Sequence, residues 1–214
     1  MVLIFIISLY FGIKSALNKN SFFDRFTGQL SLLSFSMPSF YLALLLVLVF
    51  SINFEILPIA GLHSVPDDGS FAYYLDYAWH LVLPIFIIVF GGIGSLILYI
   101  RSLTIEILKS DYIFFAQARG LSQKQILRYY ILPNLYPPVI TLLGLSLPGI
   151  IGGSVILETI FSIDGMGLLF YQSALAHDYP VIMGILIIGA FLTLIGNMIA
   201  DLVLLKLNPN YEEK

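Results

Sequence analysis

Asn197 and Asp201 stand four residues apart in a long apolar run, a spacing that puts an amide and a carboxylate on one helix face. An intramembrane carboxylate is a candidate for ion or proton handling, but near a helix end it serves equally well as an interhelical hydrogen-bond partner. His63, His80 and His177 could ligate a metal such as nickel. They are scattered over two polar connections and the edge of an apolar run, where isolated surface histidines are the simpler account. The third chemistry-bearing group is "AQARGLSQKQILRYYILPN", Ala116 to Asn134, which sets Arg119, Lys124 and Arg128 among a Gly, a capping pair and a Pro. Its residues suit a protein partner better than a reaction. No Ser/His, paired-Asp or H-E-x-x-H constellation falls within the apolar runs, and there is no Cys. No G-x-x-x-x-G-K-S/T motif is present to cradle a triphosphate. Catalysis, ATP hydrolysis included, is not expected of this chain.

The elements that must position these residues are hydrophobic. Of 214 residues 59% are apolar and 11% charged, and the mean hydropathy is +0.96, more apolar surface than a soluble domain of this size buries. Four runs approach the ~20 residues needed to cross a hydrocarbon core: Leu30 to Ile52, Trp79 to Ile100, Leu135 to Ile156 and Val181 to Leu205. A fifth, "MVLIFIISLYFGI", ends before Lys14 and rises only ~20 Å. Its positive charges follow the apolar run instead of preceding it, which argues against a secretory signal. The reading favoured is a transmembrane helix whose beginning lies before this sequence.

Charge gives sidedness. Lys14, Lys19 and Arg25, then Arg101, Lys109, Arg119, Lys124 and Arg128, then Lys206 and Lys214 account for all the Lys and Arg, and they fall in alternate connections. The intervening connections, 53 to 78 and 157 to 179, carry acidic residues and no Lys or Arg. Positive charge marks the cytoplasmic side, so five crossings are expected, with the N-terminus outside and the C-terminus in the cytoplasm.

The longest cytoplasmic connection, 101 to 134, reads as helix, corner, helix. Helical pattern runs from Asp111 to Gly120, a residue that ends helices in the left-handed conformation. Ser122 and Gln125 have capping-box spacing, and Pro133 is expected to stop the second helix. Phe114, Phe115, Ile126, Tyr130 and Ile131 are too apolar to leave in water without a partner surface.

This stretch resembles the cytoplasmic signature loop of ATP-binding-cassette (ABC) importer permeases, Glu-Ala-Ala, three residues, Gly, nine residues and I-x-L-P. Gly120, Ala116, Leu132 and Pro133 fit, while Phe114, Phe115 and Tyr130 depart. The form "DYIFFAQARGLS" is similar to the subgroup that imports dipeptides, oligopeptides and nickel, matched by Asp111, Tyr112, Ala116, Ala118, Arg119, Gly120, Leu121 and Ser122. "DRFTGQLSLLSFSMPSFYLALLL", "ETIFSIDGMGLL", "AHDYPVIMG" and "NMIADLVLLKLNP" extend the resemblance over almost the whole chain. The acidic ending "NPNYEEK" departs from the more usual D-P-R.

The resemblance implies an all-α polytopic membrane protein with the type I ABC importer permease fold, residues 1–214 forming one permease domain that lacks its first helix and outer region. It implies that loop 101–134 docks into a separate cytoplasmic ATPase, with Asp111, Ala116, Ala118, Arg119, Gly120, Leu121, Ser122, Lys124, Arg128 and Pro133 as the coupling residues. Expected partners are a homologous permease subunit, the ATPases, an extracytoplasmic substrate-binding protein and membrane lipid, with no nucleic acid, cofactor or metal. An ion-coupled secondary transporter is the alternative, disfavoured because the spans are nearly free of charge and show no repeat. "GIIGG" at Gly149 to Gly153 reads as helix packing, and Pro38, Pro84 and Pro148 as kinks. Segment 158 to 179 reads as a helix along the outer face.

Overall fold

The computed structural model describes residues 1–146, 149 and 153–207. Among them every regular element is helical. In chain order these are α1 (Val2–Leu17), α2 (Phe22–Ser36), α3 (Ser39–Leu46, continued by a wider π-helical segment, Val47–Asn53), α4 (Phe71–His80) and α5 (Val82–Leu108). There follow α6 (Asp111–Ala118), α7 (Gln123–Ile126, with a π-helical segment, Leu127–Ile131), α8 (Leu132–Leu145), α9 (Val155–Ile160), α10 (Met166–Leu175) and α11 (Tyr179–Leu207).

The described chain divides into two compact units. The first holds residues up to Phe35, the segment from Gly92 through α8, and α11 from Leu192 onward. Its packing relies on small residues. A Cβ on Gly12 would lie 2.8 Å from Ile100, one on Gly94 would lie 2.5 Å from the Ser31 carbonyl oxygen, and one on Gly144 would lie 2.7 Å from Ala200. Such close approach is how helices associate where lipid removes the hydrophobic drive between them. The second unit, from Ser36 to Gly91 and on through α9, α10 and the start of α11, centres on Leu42, Ala43, Val47, Leu83, Ile87, Leu157 and Phe161. In it the Glu158 carboxylate accepts the N–H groups of Ser154 (3.2 Å) and Leu168 (2.6 Å), closing the turn between α9 and α10.

α5 (27 residues, mean hydropathy 2.4) and α11 (29 residues, 2.3) are long and apolar enough to cross a membrane. α11 matches the run at 181–205 within two residues at each end. The run at 30–52 is not one helix: α2 begins at Phe22 and stops at Ser36, and α3 begins after Pro38. The proline ring disfavours helical geometry at Met37, which divides the run; counted as one broken span, the pair would make a third crossing. Pro84 occupies the first turn of α5, where its missing N–H has no intrahelical partner to lose. α1 has 16 residues, rising ~24 Å. α8 ends at Leu145, and Ser154 caps a separate helix, α9, by accepting the Leu157 N–H at 3.4 Å. Most of "GIIGG", Pro148 and the tail from Asn208 lie outside the described residues.

Candidate functional site: a capped helical hairpin

The 111–131 segment folds as a hairpin whose corner is specified residue by residue. Asp111 opens α6, where a carboxylate complements the positive end of the helix dipole. At the far end Gly120 adopts φ +78°. Its N–H donates to the Gln117 carbonyl (2.9 Å), and the Leu121 N–H donates to the Ala116 carbonyl (3.2 Å). These are the two bonds of a Schellman termination, which leaves the last carbonyls of α6 satisfied. One residue later a capping box starts α7: the Ser122 N–H donates to Gln125 Oε1 (2.8 Å), and the Gln125 N–H donates to Ser122 Oγ (3.4 Å).

Pro133 does not stop the second helix. The chain passes from α7 through the π-helical segment into α8, with the Leu132 N–H donating five residues back to the Leu127 carbonyl. The widened turn lies just before Pro133, whose ring would crowd an ordinary α-helical turn and whose nitrogen has no hydrogen to donate. Asn134 Nδ2 donates to the Tyr130 carbonyl at 2.6 Å just there.

The hairpin sorts its apolar residues into two sets. Ile113, Ala116, Ile126, Ile131 and Leu135 are buried together, packed against Ile13 and Leu17 of α1 and Leu103, Ile107 and Leu108 of α5. The partner for Ile126 and Ile131 is thus the chain itself. Phe114 (68% exposed) and Phe115 (61%) remain uncovered. Tyr112 and Tyr130 stack across the hairpin, ring centroids 6.3 Å apart and 14° from parallel.

Of the residues expected to meet an ATPase, Asp111, Ala118, Arg119, Gly120, Ser122, Lys124, Arg128 and Pro133 are exposed. Ala116 is not available: at 2% exposure it belongs to the interior, where its small side chain lets α6 sit close to its support. Leu121 is half-buried against the same cluster. Lys124, Arg128, Tyr129 and Tyr136 border a groove of about 590 Å³, and the Arg128 guanidinium lies 5.9 Å from the Tyr129 ring centroid.

His80 is buried; its Nδ1–H donates to the Asp76 carbonyl (2.8 Å), which leaves Nε2 to accept the Ser64 hydroxyl (3.0 Å). His63 bonds the Val65 carbonyl at 3.0 Å. Asp201 is exposed on α11, and Asn197 is half-buried. Among the described residues no three His, Cys, Asp or Glu side chains gather as a metal site.

One feature of the first unit escapes a reading by composition. Asp24, 5% exposed, receives Arg101 through two parallel bonds, Nε to Oδ1 (2.6 Å) and Nη2 to Oδ2 (2.9 Å). The Ser15 hydroxyl (2.5 Å) and the Asn20 N–H (2.8 Å) complete its shell. Counting charges places Arg101 with the cytoplasmic cations, and the partners are 77 residues apart. The available signal was that Asp24 is the sole carboxylate in the basic segment 14–29.

Apolar helices of membrane-spanning length, close small-residue packing and a buried Asp24 paired with Arg101 define a polytopic helical membrane protein. Residues 8–213 match the family described as binding-protein-dependent transport system inner membrane component, and the chain belongs to that family. It is 36% identical over 211 residues to the oligopeptide transport system permease protein AppB of Bacillus subtilis, covering 99% of this chain and 66% of that one. It is 34% identical over 198 residues to the dipeptide transport system permease protein DppB of Lactococcus lactis, covering 92% and 61%. It is 35% identical over 198 residues to the oligopeptide transport system permease protein OppB of Haemophilus influenzae, again covering 92% and 61%. The chain therefore spans about two thirds of the length of these relatives.

Proposed function

We propose that this chain is a permease subunit of an ATP-driven importer of peptides or a related small solute, lying in the membrane with its hairpin and C-terminus in the cytoplasm. With a homologous permease it forms the solute pathway, an extracytoplasmic binding protein delivers the solute, and a separate cytoplasmic ATPase supplies the energy through loop 111–133. The observation that carries this reading is the hairpin. Its corner is fixed by four backbone-directed bonds, its inner face is seated on α1 and α5, and its outer face presents Phe114, Phe115, Arg119, Lys124 and Arg128 uncovered. A rigid element with an apolar and cationic outer face suits a docking surface that must transmit force without yielding. Family membership and the names of the relatives support the proposed substrate class. An ion-coupled mechanism finds less support, since the one carboxylate of α11, Asp201, is exposed near the helix end.

The test is reconstitution in proteoliposomes with the neighbouring permease, ATPases and binding protein. Import that requires ATP, and an ATPase that co-purifies with the permease and is lost on replacing Phe114, Phe115 and Arg119 together by Ser, are the expected results. Solute uptake driven by a proton or sodium gradient without ATP would refute the proposal.

A further inference from the structure

The Asp24–Arg101 pair lies where the hairpin's support is assembled. Ser15, which bonds Asp24, sits on α1 between Ile13 and Leu17, the two α1 residues that pack beneath the hairpin. Arg101 sits on α5 just before Leu103, Ile107 and Leu108, the α5 residues of the same seat. One carboxylate thus ties together the two helices that hold the hairpin, within the α1 part of the seat and just before the α5 part.

Elsewhere on α2, Phe23 stacks on Phe11 of α1 (ring centroids 5.8 Å) with Lys14 Nζ 4.7 Å from its ring centroid, a contact made to α1. The buried residues of α2 are Asp24, Thr27, Ser31 and Ser34, with no apolar side chain among them. Thr27 Oγ1 and Ser31 Oγ are buried without a hydrogen-bond partner among the described residues. Close approach to α5 at Gly94 packs the helix there, and side-chain bonds from both α1 and α5 meet on the Asp24 carboxylate, whose two oxygens accept four donors. Parallel Arg–carboxylate bonds fix orientation as well as distance, and with Asp24 buried and Arg101 half-buried, loss of the arginine leaves a costly unpaired carboxylate.

We propose that Asp24 is a positioning residue for coupling: through Arg101 and Ser15 it clamps α1 to α5, and the clamp sets how stiffly the 111–131 hairpin is seated. The clamp follows from geometry alone; its consequence for transport rests on the reading of the hairpin as the coupling element.

The experiment compares wild type with Asp24→Asn and Arg101→Lys in the assembled complex, measuring amide exchange without nucleotide and solute moved per ATP hydrolysed. Arg101→Lys retains the charge but loses the paired geometry, and it keeps the test readable where Asp24→Asn fails to assemble. The expected result is exchange about tenfold faster or more at Gly120, Leu121 and Gln125, the scale of a lost charged hydrogen bond, with α11 amides unchanged and less solute moved per ATP. Unchanged hairpin exchange in either assembled variant overturns the proposal. Equal loosening of the hairpin and α11 also overturns it, since that marks a general role in folding. A loosened hairpin with unchanged solute per ATP upholds the clamp and refutes the coupling role of the hairpin.

Discussion

Gly120 separates backbone conformation from crowding more cleanly than any other position in the hairpin. Its φ is +78°, and a Cβ there would meet no atom within 4 Å. A substitution therefore costs what it costs to hold an L-residue in the left-handed region, and nothing for steric contact. That cost is about 1–2 kcal/mol for an ordinary residue, which raises the population of the opened corner by about 5- to 30-fold for Gly120→Ala. A β-branched residue moves toward the upper end of the ~1–3 kcal/mol range for such strain, while Asn enters this region comparatively readily. The direct assay is amide exchange at Leu121, whose N–H closes the corner onto Ala116, run beside ATP-driven uptake in proteoliposomes. Exchange should rise in the order Gly, Asn, Ala, Val, and uptake per ATP should fall in the same order. Wild-type exchange and uptake for Gly120→Val would refute the corner as a mechanical element. An equal loss for Asn and Val would show that left-handed geometry is not what Gly120 provides.

Three further outcomes are expected. A Cβ on Gly144 would lie 2.7 Å from Ala200 and 2.9 Å from the Gly196 carbonyl oxygen, so Gly144→Val should lower stability in detergent by about 1–3 kcal/mol through overpacking. Gly184→Ala, where no atom lies within 4 Å, should have a much smaller effect in the same thermal assay. A Cβ on Gly165 would collide with the Glu158 carboxyl group, so Gly165→Ala should displace that carboxylate at a cost of about 1–3 kcal/mol for the donors it leaves. Adding Glu158→Gln to Gly165→Ala should then change the melting temperature little, a non-additivity that a double-mutant cycle reads directly. Asp76 accepts the N–H groups of Ser64 (2.5 Å) and Val65 (3.4 Å), which hold its carboxyl below the ordinary carboxylate range. Because the folded value is depressed, its stabilisation of the 64–76 closure is present at neutral pH and lost as pH falls below about 4. Trp79, the single tryptophan, should report this as an acid transition in fluorescence that Asp76→Asn removes; a transition that persists in the variant would refute the assignment.

The hairpin corner was legible because its determinants are local. A glycine at a helix end and a Ser-x-x-Gln pair act within a few residues, so their spacing carries the geometry. Helix boundaries near proline were less legible, since a proline's effect depends on register. Pro38 divides a run that hydropathy joins, Pro84 is absorbed in a first turn, and Pro133 is bypassed by a π-helical segment. Side-chain facing was legible only in part: nothing local says that Ala116 and Ile126 turn inward while Phe114 and Phe115 turn outward, because the seat is built from α1 and α5. The Asp24–Arg101 pair was hidden for the same reason. A charge count gives the side of the membrane on which an arginine lies and is silent about a carboxylate 77 residues away.

In the proposed function, ATP hydrolysis on another subunit becomes solute movement through the exposed face of the hairpin. The most direct measurement is solute imported per ATP in the reconstituted complex, wild type against a chain with Phe114, Phe115 and Arg119 replaced by Ser. The expected result is an intact membrane subunit that no longer retains the ATPase and no longer imports. Undiminished ATP-driven import by that variant would contradict it.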